Sequence, residues 1–126
     1  MTQISEYMTK VPHSIEPNCT VQDAKERMYE LGVTHLPVMS GGKVIGILSE
    51  RDILYLKGMN AIDISQVKVG HTMTEEPVTV LEDQDLKSVC SLMVEKKIGS
   101  TLVQGKDGKL SGIFTYTDAL KALAAS

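Results

Sequence analysis

Gly46-Ile47-Leu48-Ser49-Glu50-Arg51-Asp52 returns later in the chain as Gly112-Ile113-Phe114-Thr115-Tyr116-Thr117-Asp118. Both stretches read as a glycine, two apolar residues, a hydroxyl residue, two variable positions and an aspartate. Working outward at the same offset, Gly42-Lys43 falls on Gly108-Lys109 and Leu54 on Leu120. Upstream the offset shortens by one residue. It then sets Met8-Thr9 on Met73-Thr74, Pro12 on Pro77, Ser14-Ile15 on Thr79-Val80, Met28 on Met93 and Val38 on Val103. A colinear series of this length is an internal duplication. The chain is two copies of one unit, roughly 8–57 and 73–124, which gives one domain over 1–62 and a second over 63–126.

Each copy has the same pattern of elements. A short extended piece (Ser14-Ile15; Val78-Thr79-Val80) leads to a helix whose apolar residues recur at helical spacing: Val21, Ala24, Met28 and Leu31 in the first copy, Leu86, Val89 and Met93 in the second. Thr20 and Asp85 stand at the N-cap, and Gly32 where a helix stops. Two β-rich runs follow, His35–Met39 and Lys43–Ser49, split by Ser40-Gly41-Gly42. In the second copy they are Thr101–Gln104 and Lys109–Thr115, split by Gly105-Lys106-Asp107-Gly108. Glycine-rich turns between short β-branched runs predict hairpins. Closing helices are predicted over Glu50–Lys57 and Tyr116–Ala124. The fold class is α/β (α+β), a tandem pair of β-α-β-β-α units. One such unit cannot cover its own sheet, so the copies are expected to pack as a pseudo-twofold pair with clefts at the seam. Segment 58–72 is apolar enough to pack as a connector.

The 126 residues carry 13 Lys+Arg against 16 Asp+Glu, a net charge of -3, and no tryptophan. Sequence-independent nucleic-acid binding needs clustered cations and stacking aromatics, so that class is set aside. The apolar runs are far short of the about 20 residues that a membrane-spanning helix requires. The N-terminus has neither the basic nor the apolar segment of a secretory signal, so a cytoplasmic setting is expected. Cys19 and Cys90 are then read as free thiols, Cys90 on the apolar face of its helix and inert. His13 and His71 share no ligand spacing, and no metal is expected. The methionines are spaced as core filler.

Ser/Thr-x-x-Asp at a strand-to-helix junction has two readings. As a capping box, the hydroxyl and carboxylate satisfy orphan N–H groups at the helix start. As a binding site, the helix N-terminus favours phosphate, the hydroxyl adds a hydrogen bond, and the carboxylate suits a ribose diol. A Ser49–His35–Asp52 nucleophilic triad fails because Ser49 and Asp52 share one helical turn and no nucleophile elbow is present. No enzyme is expected.

The duplicated unit, with Met-Thr before a proline, the Leu36-Pro37-Val38 strand and Gly-h-h-Ser/Thr-x-x-Asp, resembles a tandem pair of CBS (cystathionine-β-synthase) domains, a Bateman module. The resemblance covers nearly the whole chain and implies a stand-alone regulatory pair, without a cofactor, that binds an adenosine compound in its interdomain clefts. AMP, ADP or ATP come first, with S-adenosylmethionine as the alternative. It also implies a homodimer and leaves room for an unidentified protein target. Carried over by position, Asp52 and Asp118 would hold ribose hydroxyls, and Ser49 and Thr115 phosphate or ribose. Ser14-Ile15 and Thr79-Val80 would border the adenine, while Thr34-His35-Leu36-Pro37 and Gly99-Ser100-Thr101-Leu102 would form the other wall. Arg51 is the basic residue the family often places before the aspartate. Thr117 stands in its place in the second copy, so the Asp52 site is expected to be the tighter for phosphate. The competing reading is a ligand-free interaction or dimerisation module.

Overall fold

A computed structural model describes residues 2–10, 13–59 and 61–126. The elements run β1 (Thr9–Lys10), α1 (Val21–Leu31), β2 (His35–Ser40), β3 (Lys43–Ser49), α2 (Glu50–Lys57), β4 (Thr74–Glu75), β5 (Thr79–Leu81), α3 (Leu86–Lys96), β6 (Ser100–Gln104), β7 (Leu110–Thr115) and α4 (Tyr116–Ala125). The fold is mixed α/β. Both copies carry the helix, hairpin and closing helix that their patterns predict.

The chain divides into two compact lobes. The first is His13–Pro77, and the second joins Met1–Pro12 to Val78–Ser126. Repeat and lobe therefore do not share boundaries. The reason is a pair of short strands, one in each lead-in, that the unit read from sequence lacks. β1 pairs antiparallel with β7, Thr9 opposite Ile113, and β4 pairs antiparallel with β3, Thr74 opposite Ile47. The lead-in of each copy thus forms the edge of the other copy's hairpin. The first lobe's sheet runs β2-β3-β4 and the second's β1-β7-β6-β5. Ser14-Ile15, expected as a strand, is reduced to a single bridge from Ile15 to Val38, whereas Thr79–Leu81 makes a full parallel pairing with β6.

The repeated glycine of the motif is explained by this edge strand. A Cβ on Gly46 would lie 2.8 Å from the Thr74 carbonyl oxygen and 2.5 Å from Met73 Sδ. On Gly112 it would lie 2.6 Å from the Thr9 carbonyl and 2.8 Å from Met8 Sδ. The Met-Thr pair of each lead-in crosses directly over the hairpin glycine, and no side chain fits beneath it.

Each helix is amphipathic and buries one face on its own sheet. Val21, Ala24 and Met28 of α1 join Leu36, Val38 and Leu48 in the first core. Val89 and Met93 of α3 join Val80, Val103 and Phe114 in the second. The lead-ins complete both cores at matching positions, with Val69 in the first and Ile4 in the second, each inside a single 3-10 turn. Segment 58–72 does pack as a connector: Val21 donates to the Val67 carbonyl and Val69 to that of Cys19. Thr20 caps α1 in a reciprocal box with Asp23, and Gly32 ends it in the left-handed region at φ 68°. α3 ends in the same conformation without glycine, at Lys97, φ 56°.

Candidate functional site

Both aspartates of the repeated motif sit in the first turn of a closing helix, because β3 and β7 each run straight into their helix. In the first lobe Ser49 and Asp52 make a reciprocal cap. The Ser49 N–H donates to Asp52 Oδ2 at 2.9 Å, and the Asp52 N–H donates to Ser49 Oγ at 3.1 Å. Oδ1 of Asp52 accepts nothing from the described residues, and the side chain is only partly buried. Arg51, next to it, is exposed and forms no ion pair among the described residues.

The rest of the first-lobe set gathers around β2. His35 is opposite Ser49 in the hairpin, and Thr34 Oγ1 lies 3.0 Å from His35 Nδ1. The Thr34 carbonyl accepts from the Glu50 N–H, which ties the start of β2 to the start of α2. Ile15 has both backbone groups in use, its N–H donating to the Pro37 carbonyl and its carbonyl accepting from Met39. Arg27 donates to the Ser14 carbonyl at 2.7 Å. The side chains of Ile15 and Leu36 belong to the lobe's core. Pro37 is itself fully buried, with its carbonyl taken by the Ile15 N–H. The groups that gather at the start of α2 in this lobe are Thr34, His35, Ser49, Arg51 and Asp52. The Ser49 hydroxyl works as the α2 cap, accepting from the Asp52 N–H.

The second lobe differs at its carboxylate. Asp118 is 3% exposed, and both of its oxygens are engaged. Oδ2 accepts from the Thr115 N–H at 2.9 Å and from the Thr115 hydroxyl at 3.3 Å, and Oδ1 accepts from the Thr9 hydroxyl at 3.0 Å. Thr117 is exposed, as Arg51 is. Ser100 pairs with Thr115, and the Gly99 carbonyl accepts from the Tyr116 N–H. Tyr116 packs over Gly99 so closely that a Cβ there would meet its ring at 2.9 Å. Thr79 is opposite Leu102, and the Leu102 N–H donates to the Val78 carbonyl. Val80 points into the core. Thr101 is fully buried where the first copy has Leu36, and its hydroxyl has no hydrogen-bond partner. Sequence reasoning missed Thr9 and Arg27. The Met-Thr repeat was the available signal for Thr9, while nothing in the sequence pointed to Arg27.

Three other groups carry perturbed chemistry. Burial pushes the Cys90 thiol up, and both cysteines are free. Lys57 titrates below its ordinary range because Lys25 lies beside it. The hydroxyl and N–H of Ser65 hold the Asp63 carboxyl below its usual value. Among the described residues no group of three His, Cys, Asp or Glu side chains could hold a metal. No helix among them is long and apolar enough to cross a membrane.

The profile of the CBS domain matches the chain twice, over residues 4–57 and 64–125. Among curated relatives, protein MJ1225 of Methanocaldococcus jannaschii is 28% identical over 96% of this chain and 47% of its own length. This chain thus spans about half of that relative. Among solved structures, CBSX2 of Arabidopsis thaliana in complex with AMP superposes with a TM-score of 0.79 at 30% identity, covering 99% of this chain and 98% of that one. The CBS domain pair of MJ0100, in complex with 5'-methylthioadenosine and S-adenosyl-L-methionine, gives a TM-score of 0.86 at 22% identity over 99% and 98% of the two chains, a likeness of fold.

Proposed function

The chain belongs to the CBS domain family, and on that premise we propose that it is a non-enzymatic, cytoplasmic sensor of an adenine nucleotide. The carrying observation is the half-engaged carboxylate of Asp52 at the start of α2. A carboxylate oxygen open to solvent can accept the hydroxyls of a ribose, and the exposed Arg51 guanidinium beside it supplies a phosphate partner. Thr34, His35 and the Ser49 cap stand around the same helix start. CBSX2, crystallised with AMP at 30% identity, supports AMP, ADP or ATP as the ligand class. S-adenosylmethionine is the alternative: it keeps the ribose and lacks the phosphate that Arg51 would hold.

A thermal-shift panel tests this reading. Ligand at about a hundredfold its Kd stabilises a fold by roughly 2.7 kcal/mol, on the order of 10 °C in Tm at this size. AMP, ADP or ATP should raise Tm, and guanosine nucleotides should not. Asp52→Asn should remove the shift. A shift only with S-adenosylmethionine selects the alternative, and none with any adenosine compound defeats both.

A second copy of the chain is the proposed partner, and the observation favouring it is also what favours a pure docking module. Repeat-equivalent helix positions leave large apolar side chains exposed in both lobes: Tyr29 with Val94, and Leu54 with Leu120. Exposed apolar groups recurring at matched positions mark an interaction face. Light scattering at micromolar concentration should give twice the chain mass; a monomer with and without AMP refutes the dimer.

A further inference from the structure

We propose that Thr9 is a latch that withholds Asp118 from ligand, so that Asp52 is the one aspartate of the pair holding a nucleotide and Asp118 clamps the N-terminal segment to the second lobe. The ligand half of this inference rests on the reading of Asp52 given above. The clamp itself rests on the geometry of the second lobe alone.

The two lead-ins are equivalent in backbone. Thr9 is opposite Ile113 and Thr74 is opposite Ile47, and each lead-in passes over a glycine too tightly for any Cβ. Backbone register therefore places Thr9 and Thr74 alike with respect to the aspartates of α4 and α2. The side chains then diverge. Thr9 Oγ1 donates to Asp118 Oδ1 at 3.0 Å, across 109 residues of chain. Thr74 makes no hydrogen bond to Asp52 among the described residues, and Asp52 keeps Oδ1 open. With Thr115 donating twice to Oδ2, Asp118 has three donors and 3% exposure. A ribose diol presents two O–H donors, and a carboxylate that already accepts three hydrogen bonds at 3% exposure lacks the open face to accept both.

For a ribose to reach Asp118, the Thr9 hydroxyl must leave and β1 must lift from β7. The residues before β1 are anchored independently, by buried Ile4 and by backbone bonds from Ile4 and Ser5 to the Gln84 and Glu82 carbonyls, so only the two-residue strand itself depends on the hydroxyl–carboxylate bond and its pairing with β7. Hydrogen bonds to a charged group are worth enough to make the open form rare by roughly ten- to a hundredfold. Apparent affinity falls by the same factor, because only the open fraction binds. Occupancy at Asp118 and pairing of β1 thus compete. A ligand driven onto Asp118 would free the segment around Thr9, and a partner that grips that segment would expose Asp118.

The experiment is calorimetry with AMP on the full chain together with amide hydrogen exchange without ligand. Wild type should take one AMP per chain. Asp52→Asn should abolish that event, and Asp118→Asn should leave its affinity within a few-fold. Thr9→Val, which keeps the β-branched shape and loses the hydroxyl, should raise the stoichiometry to two. Exchange at whichever of the Thr9 and Lys10 amides bonds to β7 should rise at least tenfold in both Thr9→Val and Asp118→Asn, and the double variant should be no faster than the single ones. Two equal AMP sites in wild type, one site in Thr9→Val, or a binding event that follows Asp118 would each overturn the latch. Absence of AMP heat in every variant defeats the nucleotide reading instead. The exchange arm then judges the clamp alone: unchanged or simply additive rates overturn it.

Discussion

The two lobes share a fold, a register and a motif, and they differ around one carboxylate. In the first, Asp52 is partly exposed and caps α2 with one oxygen. In the second, Asp118 is buried and takes three donors, one of them from a strand at the other end of the chain. The same aspartate at the same position of a duplicated unit can therefore serve a ligand in one copy and the fold in the other. The deciding group is not in the motif. It is the hydroxyl of Thr9, 109 residues before Asp118, and its counterpart Thr74 makes no such bond to Asp52 among the described residues.

The comparison is broken or sharpened most strongly by the aspartates. Asp118→Ala leaves the Thr115 N–H and the Thr9 hydroxyl without their charged acceptor and should cost about 2–3 kcal/mol. Asp52→Ala removes one bond at a partly solvated site and should cost about 1 kcal/mol. Urea midpoints at unchanged m-value measure both. Losses within about 0.5 kcal/mol of each other, on that same scale, erase the distinction drawn here.

Next come the glycines, where the lobes should behave alike. Gly46→Ala and Gly112→Ala each drive a Cβ into a backbone carbonyl that cannot step aside. Each should cost about 1–3 kcal/mol, the usual range for overpacking. A severe loss in one and none in the other would show that the edge strands are not equivalent, and the latch would lose its reference.

A smaller effect is expected at Thr101, fully buried with an unpartnered hydroxyl where the first copy has Leu36. Thr101→Val removes the orphan group at nearly constant shape and should stabilise the chain by about 1 kcal/mol. Destabilisation would mean that the hydroxyl has a partner. Smallest is the end of α3. Lys97 occupies the left-handed region that Gly32 occupies at the end of α1. Lys97→Gly should gain roughly 0.5–1 kcal/mol, and Gly32→Lys should lose a similar amount. Thermal denaturation of the two variants side by side is the check, and a gain at both positions would contradict the cap assignment.

The helices and hairpins were legible because their signals are local. Thr20, Gly32 and Gly41-Gly42 act within a few residues, and periods of 3.6 and 2 fix the faces of α1, α3, β2 and β6. The duplication also made both motif aspartates visible. The edge strands were not legible, since two residues carry no period and their partners lie far along the chain. The β-α-β-β-α unit read from the pattern therefore lacks an edge strand, which each unit takes from the other's lead-in. The same distance hid the difference between Asp52 and Asp118. Motif spacing shows that a carboxylate is present at the helix start, and only the packed lead-in shows whether its oxygens are already taken. The family resemblance puts Leu36 and Ile15 beside a ligand, while alternation along the strand turns their side chains into the core.

The crossing of the lead-ins also sets an order for synthesis. The first lobe is contiguous from His13 to Pro77 and can close as soon as its last strand has left the ribosome. The second cannot, because Thr9 and Lys10 pair with Ile113 and Gly112, more than a hundred residues later in the sequence. Domains generally fold as units and N-terminal ones first, and long-range pairing is slow. Thr9 and Lys10 must therefore wait for their partners in β7 until the residues between have been made. An unpaired strand is an invitation to aggregate, and brevity with a lysine is a recognised defence. A two-residue β1 with Lys10 meets both conditions, so the strand that completes the second lobe's sheet also tolerates the wait.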